Sequence, residues 1–162
     1  MQDSFYTGLE CGGPLNPEVV EANVFNINNY LDAWTTARPI NADYGHAFTM
    51  KVDACARLIS GCQIKNKGKG DSTELPGYWV TREFRISGSM NENGPWETLV
   101  EDELVDTRNK PASLLNLTFK EPVEIQFLRF DLVSFWGEQG GGLQYFAAIP
   151  ATSKKPQSIC TI

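Results

Sequence analysis

Val123-Glu124-Ile125-Gln126-Phe127-Leu128-Arg129-Phe130-Asp131-Leu132 carries the cleanest two-residue period of apolar and polar side chains in this chain. Such a period marks a half-buried β-strand, because successive side chains point to opposite faces. The stretch is read as one strand, with one face in a core and Glu124, Gln126 and Arg129 in water. Glu121-Pro122 punctuates the chain just before it, and residues 113–119 form a second strand further upstream. On the other side, Ser134-Phe135-Trp136-Gly137-Glu138-Gln139-Gly140-Gly141-Gly142 leads into a closing strand at 143–149. Strands thus frame an aromatic and glycine-rich loop, which suggests a binding surface on a β-scaffold.

The same pattern continues outward. Residues 47–52 alternate as a half-buried strand, and 58–65 repeat the behaviour beside it. Lysines, glycines, Asp71, Ser72 and Pro76 give 66–77 the composition of an exposed loop. Residues 78–87 read as a strand anchored by Trp79, Phe84 and Ile86. Turn chemistry at 90–95 returns the chain into a strand at 96–100. Segment 102–110 is polar, and Pro111 discourages a regular element there. The first 23 residues read as an irregular approach, with a short turn near 16–20. Many short strands and little helical periodicity predict an all-β sandwich rather than an α/β enzyme fold. No glycine fingerprint follows a strand in the context that nicotinamide, flavin or phosphate-loop binding requires.

The 162 residues suit one domain, taken as 1–162 with a sandwich core at about 30–149. A formal charge of -6 opposes indiscriminate attraction to nucleic acid or anionic lipid. Lys65, Lys67 and Lys69 are either a local basic patch or a solvated turn. No apolar run reaches the roughly 20 residues of a membrane span. The start lacks the basic-then-hydrophobic pattern of a signal peptide, so Met1 is natural or was added to a mature secreted domain. Four cysteines allow three complete pairings. Cys11 with Cys160 and Cys55 with Cys62 make the geometrically simple proposal, one terminal bridge and one local. Two bridges would suit an oxidising compartment, hence an extracellular or secreted location.

Asp32-Ala33-Trp34, Ile59-Ser60-Gly61-Cys62-Gln63-Ile64, the strand at 78–88 with Ser89, Gly94-Pro95-Trp96 and Leu128-Arg129-Phe130-Asp131-Leu132 occur in an order that resembles the discoidin, or coagulation factor V/VIII C-type, family of the galactose-binding-like superfamily. The resemblance implies an eight-stranded jelly-roll β-sandwich whose terminal cysteines often bridge. It also implies an extracellular module that binds carbohydrate, phospholipid or protein through loops at one end. Trp34 and Trp96 fall where the family uses tryptophan as scaffold. The family's clustered histidine with paired arginines is not obvious here, and the acidic residue often found in the closing strand is missing. The expected function is a non-catalytic carbohydrate-binding or cell-adhesion module with a glycan or glycoprotein ligand. The alternative is a protein-recognition or matrix-interaction domain, and membrane lipid ranks lower.

Trp136 is the leading contact candidate: its ring either packs beneath its own loop or meets a sugar face or partner. Trp79 is divided between sandwich edge and ligand rim. His46, Arg82, Glu138 and Gln139 could supply polar groups to sugar hydroxyls, although Arg82 could instead pair with Asp71, Glu74 or Glu83. Asn26, Asn28, Asn29 and Asp32 hold the oxygens that calcium requires, the one cofactor candidate, and asparagines serve loop turns equally well. Asn116-Leu117-Thr118 is an N-glycosylation sequon on a strand. A nucleophile, base and orienting group do not converge anywhere in the sequence, so no enzyme is expected.

Overall fold

The computed structural model describes residues 11, 13–22, 34–35, 47–69, 79–138 and 140–151. Among them run nine strands: β1 (Glu18–Ala22), β2 (Trp34–Thr35), β3 (Ala47–Lys51), β4 (Arg57–Asn66), β5 (Glu83–Ser89), β6 (Glu97–Glu103), β7 (Leu114–Ile125), β8 (Phe127–Leu132) and β9 (Gly142–Pro150). They form a four-stranded sheet in the order β2-β9-β4-β7 and a five-stranded sheet in the order β1-β3-β8-β5-β6. Every pairing between these strands is antiparallel.

Alternation decides which side chains meet between the sheets. Leu128, Phe130 and Leu132 of β8 are buried, while Arg129 and Asp131 point the other way and share a 3.0 Å hydrogen bond. Phe130 stacks between Phe48 at 5.4 Å and Phe84 at 5.7 Å. Phe146 crosses from the opposite sheet and sets its edge against Phe48 at 5.1 Å. Ile59, Cys62, Ile64, Phe119 and Leu143 complete that side of the core. The expected β-sandwich is the fold observed.

Besides the strand expected at 78–87, which runs Glu83–Ser89 with Trp79 and Thr81 only in isolated bridges, two readings differ from the structure. The stretch 123–132 is two strands, one in each sheet, broken at Gln126. There the Gln126 N–H donates to the Ser89 carbonyl at 3.0 Å, its carbonyl accepts from the Val52 N–H at 2.8 Å, and its side-chain amide donates to the Ala54 carbonyl at 2.9 Å. The chain therefore changes sheets at a tied corner. Pro122 does not end β7, because that strand is an edge and the pairing shifts locally: Gly61 faces Thr118 while Ile59 faces Val123. Gly61 permits this close approach, since a Cβ on it would lie 2.1 Å from the Leu117 carbonyl oxygen. The second difference is near the start, where β1 replaces the expected turn and pairs Val19 with Met50.

The expected disulfides are corrected. Cys11 bonds to Cys55, with Cα atoms 5.7 Å apart, so neither Cys11–Cys160 nor Cys55–Cys62 forms. Cys62 lies within extended β4, whose rise of about 3.4 Å per residue carries it far beyond the roughly 7 Å that a bridge to Cys55 tolerates. It is a buried free thiol of the core, and burial pushes its pKa up. Cys160 lies outside the described residues. Replacing Cys11 and Cys55 together by serine is expected to cost about 4 kcal/mol through the loop the bond closes. Denaturant melts with and without reductant read this loss. In the same samples, peptide mapping after alkylation of the folded protein should leave Cys62 unmodified.

Candidate functional site

The segment 79–83 and the loop after β8 are bound to each other at one end of the sandwich. Asn66, the last residue of β4, fixes the first of them. Its Nδ2 donates to the Thr81 carbonyl at 2.9 Å, and its Oδ1 accepts the Thr81 N–H at 3.0 Å. Thr81 is fully buried, and its Oγ1 donates to the Gly142 carbonyl at 2.7 Å. The loop then docks along this strip: Thr81 bridges Phe135, Trp79 bridges Gly140, and the Trp136 N–H donates to the Val80 carbonyl at 2.8 Å. The buried side chains of Asn66 and Thr81 are both partnered, so the loop is held by hydrogen bonds as well as by packing.

That frame displays Trp136 and Arg82 together. The half-buried indole donates from Nε1 to the Leu104 carbonyl at 2.9 Å. The Arg82 guanidinium lies over its ring at 4.4 Å from the centroid, and the Arg108 guanidinium lies at 5.8 Å. Both distances fall within cation–π range. Glu103 accepts from Arg82 Nε at 2.8 Å, and Asp106 accepts from Arg108 Nη2 at 2.6 Å. Two planar cations, each held by a carboxylate, are thus posed on one aromatic ring. Arg82 and Arg108 keep 44% and 40% of their side-chain surface exposed, which leaves guanidinium N–H groups open to a ligand.

The hydrogen bonds from the Arg108 side chain, and then from its backbone, hold the Asp106 carboxyl below the usual aspartate range. Asp106 in turn raises the Arg108 guanidinium, with a smaller contribution from Glu138. A carboxyl lowered in the folded state contributes stability that is complete above its unfolded pKa and is lost as pH falls through the folded one. The pair should therefore persist into mildly acidic solution. Carbon-detected NMR titration is expected to give Asp106 a midpoint below that of an ordinary aspartate, and Arg108→Ala should return it upward. Equal midpoints in the two proteins would break the assignment.

A cleft of about 370 Å³ adjoins this cluster through Glu103 and Leu104. Val105, Pro111 and Leu115 give it apolar walls, with Asn66, Thr107 and Ser113 as polar lining. Thr107 Oγ1 donates to the Lys67 carbonyl at 2.7 Å and so fastens the 104–113 loop to the end of β4. Lys67 is itself buried, so Lys65, Lys67 and Lys69 do not make one exposed basic patch.

Trp79, Arg82, Trp136 and Glu138 therefore come from two segments that the fold brings together. Arg82 pairs with Glu103 rather than Glu83, whose carboxylate accepts instead from the Ser134 hydroxyl at 2.8 Å. His46, Gln139 and the calcium candidates Asn26, Asn28, Asn29 and Asp32 lie outside the described residues, as do Asp71 and Glu74. Among the described residues no cluster of three His, Cys, Asp or Glu side chains could hold a metal ion. Asn116 is exposed on β7, opposite Gln63. Sequence reading missed Arg108 and the cleft; the only hint was Asp106 two residues before an arginine in a polar loop.

No protein-family model matches the chain, and no curated protein sequence matches it. Solved structures do match in fold. The third family 32 carbohydrate-binding module of a Clostridium perfringens family 31 glycoside hydrolase superposes with a TM-score of 0.57 at 14% identity, over 84% of this chain and 92% of that one. The family 32 module of Streptococcus pneumoniae EndoD gives 0.55 at 12% identity, over 85% and 97%. A module from Clostridium perfringens, solved with GalNAc-β-1,3-galactose, gives 0.53 at 12% identity, over 72% and 74%. The chain thus shares the two-sheet β-sandwich fold of these modules.

Proposed function

We propose that the protein is a non-catalytic carbohydrate-binding module that takes a glycan at the loop end of the sandwich. The observation that carries this reading is the exposed pair Arg82 and Arg108 over the Trp136 indole, beside an apolar-walled cleft. Guanidinium N–H groups can donate to sugar hydroxyls and ring oxygens, while aromatic and aliphatic surface covers the C–H faces. Trp136 acts as the platform for the two cations, because its N–H is committed to Leu104 and Arg82 covers part of its ring. The fold shared with solved carbohydrate-binding modules supports the reading, including one solved with GalNAc-β-1,3-galactose. The Cys11–Cys55 bond supports an oxidising, extracellular setting.

Titration calorimetry with galactose, GalNAc and GalNAc-β-1,3-galactose, followed by a broad glycan array, tests the proposal. Saturable binding at micromolar to millimolar affinity is expected, weakened about tenfold by Arg108→Ala. A folded protein that captures no glycan on the array would end it.

A further inference from the structure

A second depression lies on the outer face of the four-stranded sheet, and it adjoins the loop-end cleft. Its volume is about 540 Å³, and Gln63, Lys65, Ala112, Leu114, Gln144 and Tyr145 line it. Ala112 belongs to the walls of both hollows, so the two surfaces are continuous across the start of β7. Large apolar side chains are exposed along the same line: Val105 and Leu115 in the cleft at 67% and 38%, and Leu114 in the depression at 52%. Leaving three such residues wet along one track is costly unless something covers them.

The closing strand is distorted at this place. Leu143 pairs with Asn66 and Tyr145 pairs with Lys65, so Gln144 is an extra residue in β9. A bulge of this kind breaks the strict alternation and re-aims side chains. Here two consecutive residues, Gln144 and Tyr145, both reach the depression. Among the described residues nothing donates a hydrogen bond to the buried Gln144 Oε1. Such an orphaned acceptor is unfavourable in the free protein and is relieved by a ligand that brings an O–H or N–H, since the terminal torsion of a glutamine turns readily.

We propose that the loop-end cleft and this sheet face form one extended site for an oligosaccharide, with the terminal sugars at the Trp136 cluster and inner sugars lying over Tyr145. The inference rests on the carbohydrate reading above and adds its ligand class: a chain of several sugars rather than a single terminal unit. The lining suits that ligand. Gln63 and Gln144 each offer donor and acceptor groups, Lys65 donates, and Tyr145 and Leu114 present ring and methyl surface, with no carboxylate among them. A purely apolar partner would leave two amides and an ammonium to be desolvated.

The test is a length series titrated into protein with the Cys11–Cys55 bond intact and Asn116 unmodified: galactose, GalNAc-β-1,3-galactose, and its tetrasaccharide and hexasaccharide extensions. Wild type should bind the longer sugars about tenfold more tightly than the disaccharide. Tyr145→Ala should abolish that gain while leaving disaccharide affinity unchanged. Gln144→Met, which removes the orphaned oxygen, should raise the melting temperature yet still lose affinity for the hexasaccharide. Length-independent affinity overturns the extended site alone, as does a Tyr145→Ala loss shared equally by every length. Retained hexasaccharide affinity in the more stable Gln144→Met protein does so too. Failure of wild type to bind any sugar overturns the carbohydrate reading, and the extended site with it.

Discussion

Phe130→Ala should destabilise the protein by about 4 kcal/mol and lower its melting temperature by about 12 °C. Phe130 is fully buried and lies where the two sheets are joined: Phe48 and Phe84 stack on its two sides, and Phe146 meets it from the opposite sheet at 6.1 Å. Truncation therefore forfeits the transfer energy of a benzyl group and leaves a hole between layers. Backbone pairing to both neighbouring strands holds β8 in place, so the cavity cannot close by a shift of that strand. Aromatic contacts beyond simple burial are lost with it. Arg129→Ala, one residue earlier on the wet face, is the control. Its link to Asp131 is partly exposed and should be worth less than about 1 kcal/mol. Urea melts of both variants measure the contrast, and a Phe130→Ala loss no larger than that of Arg129→Ala would place the centre of the core elsewhere.

The same stretch shows how far the sequence could be read. Alternation identified strands and a sandwich because burial on one face only imposes a two-residue period, whatever the partner strands are. It did not locate the break at Gln126. The signal was present: Phe127 and Leu128 are consecutive apolar residues, so the buried phase changes from odd to even positions there. A phase change inside one apparent strand marks a bulge or a change of sheet, and here the chain changes sheets. Pro122 misled in the opposite direction, because an edge strand with locally shifted pairing tolerates a missing N–H. The cysteines were less legible. Pairing depends on which residues the fold brings within about 6 Å, and strand β4 carries Cys62 into the core, away from Cys55. At the candidate site, Trp136 and Arg82 stood out by residue type. Arg108 did not, because its position over the indole depends on how the 104–113 loop is tied to β4 by Thr107 and to the tryptophan by Leu104.

Trp136→Ala should reduce glycan affinity about a hundredfold, the larger of the two effects expected on binding. The indole serves three purposes that alanine cannot replace. Its N–H satisfies the Leu104 carbonyl at the wall of the cleft, its ring supports Arg82, and the same ring approaches Arg108. Without it both guanidinium groups regain rotamer freedom, and ordering them again opposes binding. Stability should change much less, because the loop remains fastened by backbone bonds from residues 136 and 137 to Val80 and by the bridge between Thr81 and Phe135. Trp136→Phe separates the contributions: it retains an aromatic face for the cations but no donor for Leu104, so a loss of about tenfold is expected. Calorimetric affinity and melting temperature, measured on both variants with GalNAc-β-1,3-galactose, decide between two roles for this residue. If both variants melt lower but bind as wild type does, Trp136 only packs its loop. If affinity falls in the order tryptophan, phenylalanine, alanine while the melting temperature is nearly constant, the ring is the platform that holds two cations ready for the sugar.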